Sequence, residues 1–229
     1  SEGCPPLDIR RSKRLTGIEY QMPVASAQVK SALLLAGLYA EGETLIYEST
    51  PTRDHTERML AGFSNGQWQA GSAIRINGDI ALAGQCLEVP GDISSAAFLL
   101  VAATICPGSD LLLPGVGINP TRSAVLAILR LMGADIEISS ERLESNEPVC
   151  DLRVRSASLR GIDIPADFVA NAIDEFPVLA IAAAAASGVT RVRGARELRV
   201  KESDRIAAIV QGLGTLGIDA VEYLDGMDI

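Results

Sequence analysis

The chain has 229 residues, 48% of them hydrophobic, and a mean hydropathy of +0.23, ample for one large core or two smaller ones. A net charge of −9 and an aromatic content of 4% exclude an extended basic nucleic-acid surface, although single cations can still build a local anion pocket. No apolar run is long enough, and free enough of polar or helix-breaking residues, to span a bilayer, and the N-terminus carries no signal-peptide pattern.

In chain order, three segments share one grammar: an apolar residue and Pro, an Ala-rich helix, a Gly turn, then an aliphatic or β-branched strand. They are MPVASAQVKSALLLAGLYAEGETLI from Met22, VPGDISSAAFLLVAATICPGSDLLL from Val89, and IPADFVANAIDEFPVLAIAAAAASGVTRV from Ile164. Each is followed by a second helix with a polar, basic opening: TRDHTERMLAGF from Thr52, NPTRSAVLAILRLMGADIEI from Asn119, and VKESDRIAAIVQGLGTLGIDAVEY from Val200. The prolines Pro23, Pro90 and Pro165 are spaced by 67 and 75 residues, a period that fits stacked βαβα-type units. The first helix of each unit is apolar nearly all round and is expected to be buried; the second is one-sided, as in Val125, Leu126, Leu129 and Met132. Residues 134–138 (ADIEI) and 151–156 (DLRVRS) alternate like half-exposed strands, residues 64–92 read as strand and turn, and Asn77-Gly78 predicts a hairpin turn. The domain boundary is expected at Val89-Pro90-Gly91-Asp92. The chain opens without Met and stops inside a strand-like stretch, Gly226 to Ile229, so a piece of a longer protein is expected.

Ionisable residues cluster at the helix starts. Ser26-Ala27-Gln28 follows Pro23, where a hydroxyl and an amide can face a ligand beside free N–H groups, or Ser26 can simply cap the helix. Thr52-Arg53-Asp54-His55 places a cation at a second helix start, and Asn119-Pro120-Thr121-Arg122 is its repeat counterpart, read as structural. Asp92, Ser94 and Ser95 either orient a basic residue or cap a helix, and the cap is favoured. Asp174 is placed to open the third apolar helix, with Pro177 in its first turn. Lys201 and Arg205 are four apart, so on a helix they share one face near an N-terminus, an anion-binding arrangement. The plainer reading is an exposed helix with a Glu202–Arg205 pair, and spacing alone favours it. Cys4, Cys86, Cys106 and Cys150 are scattered, with no CxxC pair, and read as reduced thiols of a cytoplasmic protein. The single histidine, His55, has no metal-ligating or nucleophilic neighbour, and neither a GxGxxG nor a P-loop occurs.

Taken together, PVASAQVKSALLLAG, TRDHTERML, PGDISSAAFLL, IDEFPVLAIAAA and above all LRVKESDR resemble the EPSP synthase family of enolpyruvyl transferases, along essentially all of this chain. The resemblance covers the middle of that family's sequence, about half its length. It implies an α/β fold, an inverse α/β barrel of repeated βαβαββ units in two domains, with 1–89 in the first and 90–229 in the second. It also implies transfer of the enolpyruvyl group of phosphoenolpyruvate to the 5-hydroxyl of shikimate 3-phosphate, releasing phosphate, without metal or organic cofactor. The full-length protein is then expected to be a cytoplasmic monomer with no nucleic-acid or membrane partner.

By resemblance, Ser26 and Gln28 contact shikimate 3-phosphate, with Gln28 also reaching the phosphoenolpyruvate side; Ala27 stands where some members carry a second Ser, and Arg53 is a phosphate-binding cation. Asp174 accepts the 5-hydroxyl proton, Lys201 and Glu202 shuttle protons, and Arg205 clamps the phosphoenolpyruvate carboxylate. Glu197 replaces an Asn found in many members, which puts that contact in doubt. The chemistry asks for such residues: a carboxylate base, an acid opposite it, and cations that hold two polyanions. Two alternatives stay open, a non-catalytic piece of the same fold and the relative that uses UDP-N-acetylglucosamine. The latter is expected to carry a reactive Cys in a mobile loop and to lack VKESDR. By itself, the chain is expected to fold at least partly without turning over.

Overall fold

The computed structural model describes residues 6, 8, 14–66 and 73–229. The reading of Cys4 as a thiol, and residues 67–72 of the strand-and-turn stretch, lie outside the described residues. The chain divides into two compact units, residues 1–86 and 87–229.

Unit 1 runs β1 (Leu15–Thr16), β2 (Glu19–Gln21), α1 (Ala27–Gly37), β3 (Ala40–Glu41), β4 (Glu43–Tyr47), α2 (His55–Phe63) and β5 (Ile74–Asn77). β1 pairs parallel with β3; β4 lies between β2, parallel to it, and β5, antiparallel. Its core is small: Met22, Leu34, Ile46, Leu60, Ile74 and Ile76.

Unit 2 holds two complete repeats. The first is α3 (Ile93–Ile105), β6 (Asp110–Gly117), α4 (Ala124–Met132), β7 (Asp135–Glu144) and β8 (Glu147–Arg155). The second is a short α5 (Ala166–Val169), a 3₁₀ turn at Ala170–Ala172, α6 (Phe176–Ala184), β9 (Arg191–Val192), a 3₁₀ turn at Arg196–Val200, α7 (Arg205–Thr215), β10 (Val221–Tyr223) and β11 (Gly226–Asp228). Each repeat is opened by a residue in a parallel bridge, Gly91 to Val116 in one and Asp163 to Arg191 in the other. Each closes in a hairpin, β7–β8 or β10–β11, and the result is βαβαββ twice over, with antiparallel sheets ordered β6-β8-β7 and β10-β11-β9. Ser145 and Asn146, with φ of +52° and +66°, form the two-residue turn of the first hairpin. Gly133, at φ +104°, ends α4 in the left-handed conformation that closes a helix.

The one-sided second helix is borne out, since Val125, Leu126, Leu129 and Met132 are all buried. The fully buried first helices are only partly so. α6 buries six of its nine residues, but α1 leaves Val29 and Leu35 exposed and α3 leaves Phe98 and Leu99 exposed. An apolar helix is covered only where its own unit supplies a neighbour, and α1 lies against β4 and β5 along one side. The second helices also begin later than their polar openings, at His55, Ala124 and Arg205. The chain reaches helical geometry only after Asp54, Ser123 and Asp204, residues suited to the cap position, which leaves Arg53 and Arg122 in the turns ahead. Asn77-Gly78 forms a turn, with the Ile80 N–H donating to the Asn77 carbonyl at 3.2 Å, but no strand follows over residues 80–90. A Cβ on Gly78 would fall 2.4 Å from the Ala40 carbonyl oxygen, so the chain passes close over β3 instead of doubling back beside β5.

Candidate functional site

Unit 2 brings together the residues of the charged block. Asp174 does not cap α6; Glu175 occupies that position and Asp174 lies one residue before it, in the turn after the 3₁₀ segment, with Pro177 inside the first turn of the helix. The shared helical face of Lys201 and Arg205 is also corrected. Lys201 ends the Arg196–Val200 turn in extended geometry, and α7 starts only at Arg205, because the Asp204 carboxylate accepts from the Ala207 N–H at 3.0 Å and fixes the cap there.

Arg205 is the centre of the cluster. Its Nη2 donates to both Glu202 oxygens at 2.8 and 3.0 Å, and its Nη1 reaches Asp174 Oδ1 at 3.4 Å. The plain Glu202–Arg205 pair therefore forms, but off the helix, and the guanidinium gains a second carboxylate from a different element. Burial works against the charge of Arg205, and the two carboxylates outweigh it, raising its pKa. The Glu202 carboxyl is held below its ordinary value by its own backbone N–H and then by Arg205. Lys201 Nζ sits 2.5 Å from Glu197 Oε1, so the carboxylate in the departing position pairs with the very lysine assigned to proton transfer.

Sequence reasoning missed the side chains that hold this block. Arg199 donates to Asp204 at 2.7 Å, to Glu222 at 2.9 Å, and to the Leu224 and Tyr223 carbonyls, tying the block to the β10–β11 hairpin. Only its position inside LRVKESDR could have flagged it; Asp204 lies in the same block, but its hairpin partners are more than 20 residues away. The first repeat contains an equivalent arrangement, Arg122 with Asp92 at 3.3 Å, matching Arg205 with Asp174 at 3.4 Å. Asp92 both caps α3, through the Ser95 N–H at 2.9 Å, and orients this cation, so the two readings of that residue are both met. Arg122 continues to Ser94 Oγ at 2.5 Å, and Ser94 donates to the buried Glu175 carboxylate, linking the starts of α3, α4 and α6.

In unit 1 Ser26 caps α1, its Oγ accepting from the Val29 N–H at 3.3 Å. Ala27 opens the helix, Gln28 is exposed in its first turn, and Arg53 is half-buried in the turn before α2. Among the described residues no group of His, Cys, Asp and Glu is arranged to hold a metal ion, and no helix is long and apolar enough to cross a membrane. Cys86, Cys106 and Cys150 are free thiols, and burial pushes Cys150 up to about 11, away from nucleophilic reactivity. A cleft of 690 Å³ in unit 2, lined by Thr104, Pro107, Ser158 and Ser187 among others, contains none of the candidate residues. It lies at the C-terminal ends of α3 and α6, where helix dipoles repel anions.

The sequence profile of EPSP synthase (3-phosphoshikimate 1-carboxyvinyltransferase) matches residues 1–229. Proteins named 3-phosphoshikimate 1-carboxyvinyltransferase from Alkalilimnicola ehrlichii and Methylococcus capsulatus are each 60% identical over 227 residues, 99% of this chain, but 51% and 52% of their own lengths. An EPSP synthase structure from Acinetobacter baumannii is 52% identical with a TM-score of 0.88, covering 94% of this chain and 49% of that one. The chain thus spans about half the length of the relatives it matches, and it belongs to the EPSP synthase family.

Proposed function

We propose that the chain forms part of an enzyme that transfers the enolpyruvyl group of phosphoenolpyruvate to the 5-hydroxyl of shikimate 3-phosphate and releases phosphate. The observation that carries this reading is the Arg205 guanidinium, held between the Asp174 and Glu202 carboxylates beside Lys201. A cation bound loosely to one carboxylate is suited to exchanging it for a ligand carboxylate. When phosphoenolpyruvate takes Arg205, Asp174 exchanges that contact for the 5-hydroxyl of shikimate 3-phosphate and accepts its proton. Proton delivery to C3 of the enolpyruvyl group falls to Lys201 and Glu202. In unit 1 Ser26, Gln28 and Arg53 hold the phosphate of shikimate 3-phosphate, using helix-start N–H groups and a cation; Ala27 offers no hydroxyl.

Residues 1–89 and 90–229 are, in this reading, parts of the two domains of the family fold, and the whole protein is a cytoplasmic monomer. The test is an assay of a polypeptide of full family length carrying residues 1–229. Phosphate release and carboxyvinyl product in equal amounts from the two substrates support the reading, and release without that product overturns it.

A further inference from the structure

Lysine is rarely found in a protein interior, because an ammonium loses its hydration there. Lys30 is nevertheless 1% exposed. It also sits in the first turn of α1, where the helix dipole opposes a cation. Three acceptors offset these costs: Glu57 Oε1 at 2.6 Å, Glu48 Oε2 at 3.2 Å and the Thr52 carbonyl oxygen at 3.5 Å. An ammonium has three N–H donors, so all are committed.

Those acceptors are one continuous stretch. Glu48 follows β4, Thr52 precedes Arg53, and Glu57 lies in the first turn of α2. The second oxygen of Glu48 accepts from the Thr52 N–H at 3.2 Å and from its hydroxyl at 2.5 Å, closing the segment on itself. Ser31 and Thr56 add a hydroxyl contact of 2.7 Å between α1 and α2. The loop bearing Arg53 is thus fastened on both sides to one group of α1. The same turn of α1 carries Ser26 and Gln28, and the Lys30 N–H donates to the Ser26 carbonyl at 3.0 Å. Stability alone does not account for this. Apolar replacement of a buried ion pair is often neutral or favourable, and here two carboxylates face one ammonium, with Glu57 Oε2 buried and lacking a hydrogen bond. Such a cluster fixes geometry.

We propose that Lys30 is a positioning residue: its buried ammonium keeps Arg53 in register with Ser26 and Gln28, preorganising the phosphate-binding group of unit 1. The proposal rests on the functional reading above, and deepens it by naming what holds that group. The experiment uses a polypeptide of full family length carrying residues 1–229. The double variant Lys30→Met with Glu57→Gln removes the strap without changing the net charge of the cluster, and Thr52→Ala loosens it without touching a charge. Lost preorganisation should raise KM for shikimate 3-phosphate about 10-fold in the double variant and about 3-fold in Thr52→Ala, with kcat and KM for phosphoenolpyruvate within about 2-fold of the parent. A merely structural cluster would lower Tm and leave both KM values alone, and that result, or an equal rise in both, overturns the proposal. If the double variant does not fold, Thr52→Ala decides by the same split. An unmodified protein that neither binds shikimate 3-phosphate nor turns over would instead overturn the functional reading, and this proposal with it.

Discussion

Replacing Arg205 with Ala separates binding from stability. In the folded protein its contacts are an exposed partner, Glu202, and a long contact to Asp174 at 3.4 Å. Solvent-screened pairs of this kind contribute little to folding, so Tm should move only slightly. Binding is another matter, because a ligand carboxylate gripped by a guanidinium gains charge-assisted bonds worth about 1.5–3 kcal/mol. Competition from Glu202 and Asp174 takes part of that gain. The expected loss is then about 2 kcal/mol, or roughly 30-fold in Kd for phosphoenolpyruvate. Shikimate 3-phosphate, assigned to Ser26, Gln28 and Arg53, should lose less than about 3-fold, well under 1 kcal/mol. Calorimetric titration of each ligand into Arg205→Ala in a full-family-length polypeptide measures both. Equal losses for the two ligands would refute this division of labour.

Two further predictions concern the fold of unit 2. Leu100 is completely buried, and Leu100→Ala should cost about 3 kcal/mol in urea unfolding, against a loss under about 1 kcal/mol if the α3 core were loosely packed. Burial pushes the Asp92 carboxyl up, but the Ser95 hydroxyl and N–H and Arg122 together hold it below its ordinary value. A depressed carboxylate adds stability that is full at neutral pH and is lost as pH falls from about 4 through its folded pKa. Tm of the unmodified protein should therefore drop more steeply below about pH 4 than that of Asp92→Asn. Parallel curves would contradict the assigned role.

The repeat grammar was legible because it depends on local chemistry. Proline and glycine mark the ends of elements, and the apolar spacing of Val125 to Met132 needs no distant partner to be read. The same locality explains why the cap at Asp174 was misplaced by one residue. An acidic pair ahead of Phe176-Pro177 offers two equivalent caps, and a long-range bond from Ser94 holds Glu175 there. Lys201 and Arg205 were put on one helix by spacing, yet Asp204 stops that helix short of Lys201. The Asp174–Arg205 contact was out of reach from the sequence alone, since it joins residues 31 positions apart. So was the burial of Lys30, which looks like any surface lysine until Glu48 and Glu57 converge on it. Family resemblance supplied the roles, and the geometry supplied the partners.

The most direct measurement of the central claim is kcat of Asp174→Asn at saturating shikimate 3-phosphate and phosphoenolpyruvate, in a polypeptide of full family length. Asn keeps the shape of the side chain and can still accept from Arg205, so substrate binding should stay within a few-fold of the parent. Loss of the proton acceptor should lower kcat by about 10²–10⁴-fold. Turnover within a few-fold of the parent would contradict the assignment of Asp174 as the base.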